Sequence, residues 1–117
     1  MNEALHTSAS DLALRSARTA PDTRLTDGEL KAMAALVEGW TVHADVMERS
    51  FSFPDYHGTM AFVNAVAWIA HRGDHHPDLQ VGYNRCTVQW STHSAGGLTL
   101  KDLICAAQVD ALQCPPA

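Results

Sequence analysis

The sequence predicts an α+β fold in which a four-stranded antiparallel sheet carries helices on one face, in the order α-β-β-α-β-β-α. Segments with apolar residues at helical spacing alternate with pairs of short segments enriched in β-branched and aromatic residues. Short turns join the two members of each pair, as in antiparallel hairpins. The chain has 117 residues with 46% hydrophobic content, which suits one domain with one core.

The N-terminal stretch, residues 1–24, is rich in Ser, Thr and Ala and contains few bulky apolar residues. This composition predicts a flexible arm, with a weak helix around residues 11–17. The single folded domain is then expected to span residues 25–117. It begins with Thr26, which can cap a helix together with Glu29 in a capping box.

The first helix of the domain repeats its apolar residues at the helical interval, at Leu30, Met33, Ala34 and Val37. Gly39 is well placed to end this helix. Between Trp40 and Phe53 the pattern changes to that of two short antiparallel strands, and residues 43–45 offer a turn between them.

A second helix is predicted from Tyr56 to about His71, and it is apolar on more than one side. So broad an apolar face requires either a central position in the core or additional packing against another subunit. Gly73 and Pro77 close this helix, because a proline disfavours helical geometry at the residue before it.

Two further strands are predicted over residues 79–83 and 86–92, joined by a tight turn at Asn84 and Arg85. Thr99 can cap a last helix, which Pro115 terminates. The apolar residues that this helix is expected to carry are Leu103, Ile104, Ala107 and Leu112.

Charge and composition exclude several classes of function. The net charge is -5 and the basic residues are scattered, so nucleic-acid or anionic-membrane binding is not expected. No apolar run approaches the ~20 residues of a membrane span, and the first residues lack the apolar stretch of a signal peptide. The sequence therefore predicts a cytoplasmic protein. Its cysteines are too few and too widely spaced for a disulfide framework or a structural zinc site: Cys86, Cys105 and Cys114.

Histidines are the most informative side chains of the sequence. Of seven, three lie in the segment His71 to Asp78, which also contains Asp74, and His93 lies at the tip of the last predicted strand. Imidazole titrates near pH ~6.5, so a group of such rings can supply both a proton donor and a proton acceptor at neutral pH. The cluster therefore indicates acid-base chemistry, although a solvated loop is the alternative for any one ring.

A metal site is the rival interpretation of the same residues. His71 and His75 are four residues apart and would share a helix face, with Asp74 and His93 as further ligands. The segment lacks a cysteine and a His-Glu-x-x-His pattern, and the glycine and proline beside it fray the helix on which fixed ligands would depend. We therefore do not predict a metal site.

Several short motifs together resemble those of the pterin-4a-carbinolamine dehydratases. With ungapped spacing from His71 to Asp102, they are Asp74-His75-His76-Pro77, Tyr83-Asn84, Ser91-Thr92-His93, Gly97-Leu98 and Asp102. Weaker similarity extends the resemblance over residues 25–112. It implies a four-stranded antiparallel sheet with helices on one side, assembled into homodimers or homotetramers.

The resemblance also implies roles for individual residues. The catalytic histidines of the family match His75, His76 and His93. The residues expected to bind the pterin substrate are His71, Asp74, Ser91, Thr92 and Ser94. The chain departs from the animal members at two of these, because they commonly have Glu in place of His71 and an acidic residue in place of Ser94. Leu79 also replaces a frequent aromatic residue.

The activity implied is the dehydration of 4a-hydroxytetrahydrobiopterin to quinonoid dihydropterin and water, with no metal or organic cofactor. Such an enzyme would serve pterin recycling for aromatic amino-acid hydroxylases. A second hypothesis follows from the animal relatives, which also act as dimerisation cofactors for a homeodomain transcription factor. Under that hypothesis the chain is a protein-binding module, and the broad apolar face of the second helix is its binding surface.

Overall fold

The computed structural model describes residues 8–117 of the chain. Within these residues the helices and strands follow the predicted α+β order α-β-β-α-β-β-α, and one short helix, α1, precedes them. The bounds are α1 Ala9–Ala13, α2 Asp27–Ala34, β1 Thr41–His43, β2 Val46–Ser52, α3 Tyr56–Gly73, β3 Asp78–Val81, β4 Arg85–Trp90 and α4 Leu100–Asp110.

The four strands form one antiparallel sheet in the order β1-β2-β4-β3. The β1-β2 turn lies at Ala44 and Asp45, as predicted, and Ala44 has a positive φ of 52°. The second hairpin turns at residues 82–84, slightly before the predicted position, because the Gly82 amide donates to the Arg85 carbonyl at 2.8 Å.

One face of the sheet is apolar and the other is polar, as the alternation along each strand requires. On the apolar face Met47 pairs with Trp90 and Phe51 with Cys86, and all four side chains are buried. Helices cover this face. Phe62 of α3, for example, packs on Phe51 with their ring centroids 4.8 Å apart.

The helices begin at the caps that the sequence indicates. Thr26 Oγ1 accepts from the Glu29 amide at 3.1 Å, and the Glu29 carboxylate accepts from the Thr26 amide at 2.9 Å, which confirms the capping box. Asp55 caps α3 by accepting from the Gly58 amide at 2.8 Å.

The last helix, α4, is almost wholly buried except at its end. Leu103, Ile104 and Ala107 lie on the helix as predicted, and all three are buried. Leu112 lies beyond the last helical residue and is 38% exposed, so its predicted place on the helix is wrong. The helix ends at Asp110, five residues before the first of the prolines that were expected to end it.

The N-terminal part of the chain differs from the expectation of an arm that stands apart from the domain. Residues 1–7 lie outside the described residues, but from Ser8 onwards the chain packs on the domain, with Leu12 and Ala17 at 0% and 1% exposure. Its contacts include one with α4, where Gln108 donates to the Arg15 carbonyl at 2.9 Å. The predicted weak helix corresponds to the shorter α1. The flexibility of this segment in solution stays a prediction.

Candidate active site

His75 is placed by the end of α3. The helix stops at Gly73, and Asp74 adopts the left-handed conformation with φ 50° and ψ 44°. The amide of Asp74 donates to the His71 carbonyl at 3.2 Å and that of His75 to the Ala70 carbonyl at 3.1 Å, which closes the helix. Aspartate is one of the few residues that tolerates this conformation. This tight closure orients the chain at His75.

The imidazole of His75 is held by two neighbours. Its Nε2 lies 2.6 Å from Oδ1 of Asp102, and its ring stacks on Trp90 with centroids 5.7 Å apart and planes 13° apart. The His75 side chain is only 11% exposed and that of Asp102 is 0% exposed. A hydrogen bond at one edge and an aromatic surface on one face together fix the orientation of the ring.

Asp102 is a buried carboxylate whose oxygens are all satisfied. Its Oδ2 accepts from Thr92 Oγ1 at 2.7 Å and from the Thr99 amide at 2.9 Å, while Oδ1 contacts His75. Such a group is costly to bury unless it is hydrogen-bonded. Asp102 also lies in the first turn of α4, and a helix N-terminus carries partial positive charge.

The network fixes the direction of its hydrogen bonds. A carboxylate anion only accepts, so with Asp102 ionised His75 Nε2 donates to it and carries a proton. The single proton of Thr92 Oγ1 is also given to Asp102. In the 2.9 Å contact between the two hydroxyls, Thr99 Oγ1 is therefore the donor and Thr92 Oγ1 the acceptor.

The remaining nitrogen of His75, Nδ1, has no hydrogen-bond partner among residues 8–117. In the neutral ring, with the proton on Nε2, Nδ1 carries a lone pair and accepts a proton. In the imidazolium it carries a proton and donates it. The arrangement is therefore able to act as either a general base or a general acid at Nδ1.

Other predicted site residues lie on the surface around this network. His76, Asp74 and His71 are exposed near the end of α3, and His71 packs its ring against Trp68 with centroids 5.6 Å apart. His93 begins a one-turn 3-10 helix directly after Thr92.

The predicted site residues of the segment from Ser91 to Ser94 differ in burial. His93 and Ser94 are exposed, Ser91 is partly buried and Thr92 is buried. The structure thus joins His75 to Thr92 through Asp102. The convergence of His75, His76 and His93 on one substrate stays a prediction.

Two residues of the network had no predicted role. Asp102 entered the sequence argument only as part of the resemblance, and Trp90 only as a strand residue. The spacing of Thr99 and Asp102 is that of a capping box, which was a sequence signal for a carboxylate at a helix start. Nothing local to the sequence indicates that this carboxylate faces His75.

The alternative of a metal centre gains no support from the geometry. His71 is exposed against Trp68, whereas His75 is directed at Asp102. Within the part of the chain that the structure describes, no three His, Cys, Asp or Glu side chains come together in a way that suits a metal ion.

The cysteines are free thiols, of which Cys86 and Cys105 are buried. Burial, together with the negative charge of Asp102, raises the pKa of Cys105 to about 12. Burial also raises the pKa of Cys86 and of Cys114. Since the thiolate is the reactive form, all three are poor nucleophiles at neutral pH. Between residues 8 and 117, no helix combines the length and the apolarity that a membrane span needs.

Comparison with known proteins gives a consistent result. The sequence profile of the family described as "Pterin 4 alpha carbinolamine dehydratase" matches residues 23–112. A protein of Nitrosospira multiformis named "Putative pterin-4-alpha-carbinolamine dehydratase" is 50% identical over 88 residues, which covers 75% of this chain and 78% of that protein. A protein of the same name from Chromobacterium violaceum is 50% identical over 88 residues, covering 75% and 82%.

Solved structures show the same fold. One is described as a transcriptional coactivator/pterin dehydratase from Brucella melitensis, with 33% identity, a TM-score of 0.73, and coverage of 77% of this chain and 98% of that chain. Another, a pterin dehydratase-like RuBisCO assembly factor of the alpha-carboxysome, has 24% identity, a TM-score of 0.53, and coverage of 62% and 84%. The second likeness concerns the fold alone.

Proposed function

Because this chain belongs to the pterin 4 alpha carbinolamine dehydratase family, we propose that it removes water from a 4a-hydroxytetrahydropterin, with 4a-hydroxytetrahydrobiopterin as the substrate. The observation that carries the proposal is the hydrogen bond between His75 and Asp102. It leaves one oriented imidazole nitrogen available for proton transfer.

The reaction needs one acid and one base. The hydroxyl on ring carbon 4a takes up a proton and leaves as water, the proton on nitrogen 5 is given to a base, and the product is the quinonoid dihydropterin. The electron pair of the nitrogen-hydrogen bond becomes the new double bond to carbon 4a. Positioned acid-base groups typically contribute about 10²- to 10⁴-fold each, so two imidazoles suffice and we propose that no cofactor is used.

His75 and His93 are proposed to share these two roles, and His76 to position the substrate. Asp102 holds the proton on His75 Nε2, so the proton transferred by His75 enters or leaves at Nδ1. Thr92 is proposed to act through Asp102, because its hydroxyl proton is already engaged there. The exposed side chains proposed to bind the pterin are His71, Asp74, Ser91 and Ser94.

The proposal is tested by following carbinolamine breakdown in the ultraviolet, with and without the protein. The wild-type chain should accelerate the reaction, and His75→Ala and His93→Ala should each lower turnover by at least about tenfold. His57→Ala is the matched control, because that exposed histidine lies at the opposite end of α3 from His75. Wild-type turnover in both site variants would refute the assignment of the two rings.

The cellular setting proposed for this activity is pterin recycling in the cytoplasm, where aromatic amino-acid hydroxylases generate the carbinolamine. The free cysteines agree with a reducing compartment. We also propose a homodimer or homotetramer. Trp68 on α3 is 60% exposed, whereas tryptophan side chains are on average highly buried.

A second candidate function is that of a protein-binding module. It is favoured by the exposed Trp68 and by the 33% identity to a protein described as a coactivator as well as a dehydratase. Trp68→Ala distinguishes the two functions. If the chain is an enzyme, the wild type should show turnover and the variant should keep it, whether it is oligomeric or monomeric. If the chain is a binding module, the wild type should show no turnover and the variant should lose its partner.

A further inference from the structure

The N-terminal strap, defined here as residues 8–22, precedes the segment that matches the family. It crosses the domain surface at the place where α3 ends and α4 begins. These two elements carry His75 and Asp102 respectively. The strap therefore contacts both supports of the pair on which the proposed chemistry depends.

Ala17 is the buried centre of the strap, with 1% exposure. It lies against Gly73, the last residue of α3, so closely that a Cβ added to Gly73 would stand 3.1 Å from the Ala17 Cβ and 3.8 Å from Cys105 Sγ. The close approach leaves no room for a larger side chain at either position without a shift of the strap.

Arg18 closes the C-terminal end of α3. Its Nε donates to the Arg72 carbonyl and its Nη2 to the His71 carbonyl, both at 3.3 Å. Its Nη1 lies 4.0 Å from Oδ2 of Asp74. The last carbonyls of a helix lack partners within the helix and carry partial negative charge, so a guanidinium is well suited to this position.

Lys101 joins the same part of the strap to α4. Its Nζ donates to the Ala17 carbonyl at 2.7 Å and to the Arg18 carbonyl at 3.3 Å, and lies 3.5 Å from the Asp22 carboxylate. The Lys101 side chain is only 12% exposed. Since Lys101 immediately precedes Asp102, the strap is anchored beside the carboxylate as well as beside the histidine.

From these contacts we propose that Arg18 is a positioning residue, which holds the left-handed turn at Asp74 and thereby keeps His75 at hydrogen-bond distance from Asp102. The kinetic part of this inference rests on the proposed function, whereas the geometric part does not. The 2.6 Å bond joins two elements that are far apart in sequence, and a shift of well under 1 Å at the end of α3 would weaken it.

The experiment compares Arg18→Ala, Arg18→Lys and the control Gln108→Ala with the wild type. Gln108 ties the other end of the strap to α4 through the Ala13 and Arg15 carbonyls, so its removal loosens the strap without removing a hydrogen bond to the end of α3. The first readout is the ring proton on His75 Nε2 in a long-range proton-nitrogen spectrum, assigned with His75→Gln. The second is the pair kcat and KM for carbinolamine dehydration.

In Arg18→Ala we expect the His75 ring proton to move upfield and exchange faster, with kcat lowered by about 3- to 10-fold and KM changed by less than about twofold. Arg18→Lys keeps the cation but replaces the planar guanidinium, which donates from two of its nitrogens, with a single ammonium, so it should restore part of each effect. Gln108→Ala should match the wild type in both readouts.

The inference is overturned if Arg18→Ala leaves the His75 resonance and kcat unchanged, or if Gln108→Ala changes them as much as Arg18→Ala does. Thermal melting of each variant shows that the comparison is made between folded proteins. Should the wild type show no dehydratase activity, the proposed function fails, but the His75 resonance still decides whether Arg18 positions the ring.

Discussion

Replacement of Asp102 by asparagine tests the network at its centre. Asn has nearly the same shape, but it has one acceptor oxygen and one donor NH₂ where the carboxylate has two acceptors. The oxygen is required by the Thr99 amide and Thr92 hydroxyl, so the NH₂ must face His75. Nε2 of His75 then has to accept, which moves the ring proton to Nδ1 and leaves the neutral ring with no lone pair at the nitrogen proposed to transfer the proton.

The size of the effect on stability follows from the three bonds that Asp102 accepts. A hydrogen bond to a charged group contributes about 1.5–3 kcal/mol and a neutral one about 0.5–1.5 kcal/mol. The smaller desolvation cost of the neutral amide offsets part of the difference. The free energy of unfolding should therefore fall by about 1–3 kcal/mol, which lowers Tm by about 4 °C for each kcal/mol in a domain of this size.

The effect on turnover should be larger, at least about 10²-fold in kcat, because a proton-transfer group is lost in its required form. Asp110→Asn is the matched control. Asp110 is also a partly buried α4 carboxylate, bonded to Trp40 Nε1 at 2.9 Å and to Arg49 Nη1 at 3.1 Å, but it has no contact with His75. It should lose comparable stability and keep its kcat.

The measurements are urea unfolding and calorimetry for stability, and the ultraviolet assay for kcat. Two results would refute the reasoning. One is Asp102→Asn with turnover within about threefold of the wild type, because the reaction would then not depend on the tautomer of His75. The other is an equal loss of turnover in Asp110→Asn, which would make the effect one of general stability.

Two further predictions concern buried residues near Asp102, namely Thr92 and Cys105. Thr92→Val removes a donor to the buried Asp102 and should lower the free energy of unfolding by about 1–3 kcal/mol, measured by urea unfolding. The control is Thr41→Val at an exposed position of β1, which should leave that free energy within about 0.5 kcal/mol of the wild type. The pKa of Cys105 is raised from its ordinary value of 9.0 to about 12, so folding favours the thiol. Its stabilising contribution is present below pH 9.0 and is lost as pH rises through about 12, by at most about 1.4 kcal/mol per unit. Unfolding curves of Cys105→Ala should lack this part of the slope, and an identical slope would contradict the assignment.

The regular elements of this protein could be predicted from the sequence because their signals are local. The capping box at Thr26 and Glu29, the turn after His43, and the end of α3 before Pro77 all depend on residues a few positions apart. Alternation along β2 and β4 also determines which sheet face is buried. The histidine segment was found by the same local means, since its composition alone indicates acid-base chemistry.

The interactions that complete the candidate site depended on the tertiary structure. His75 and Asp102 are separated by 27 positions and Arg18 and His71 by 53, so no periodicity or cap relates them. The packing of the segment around Leu12 was likewise missed, because a Ser- and Ala-rich stretch with few bulky residues has the composition of a free arm. Local spacing determines which helices and strands form, whereas the contacts between them depend on how their apolar faces pack together in three dimensions.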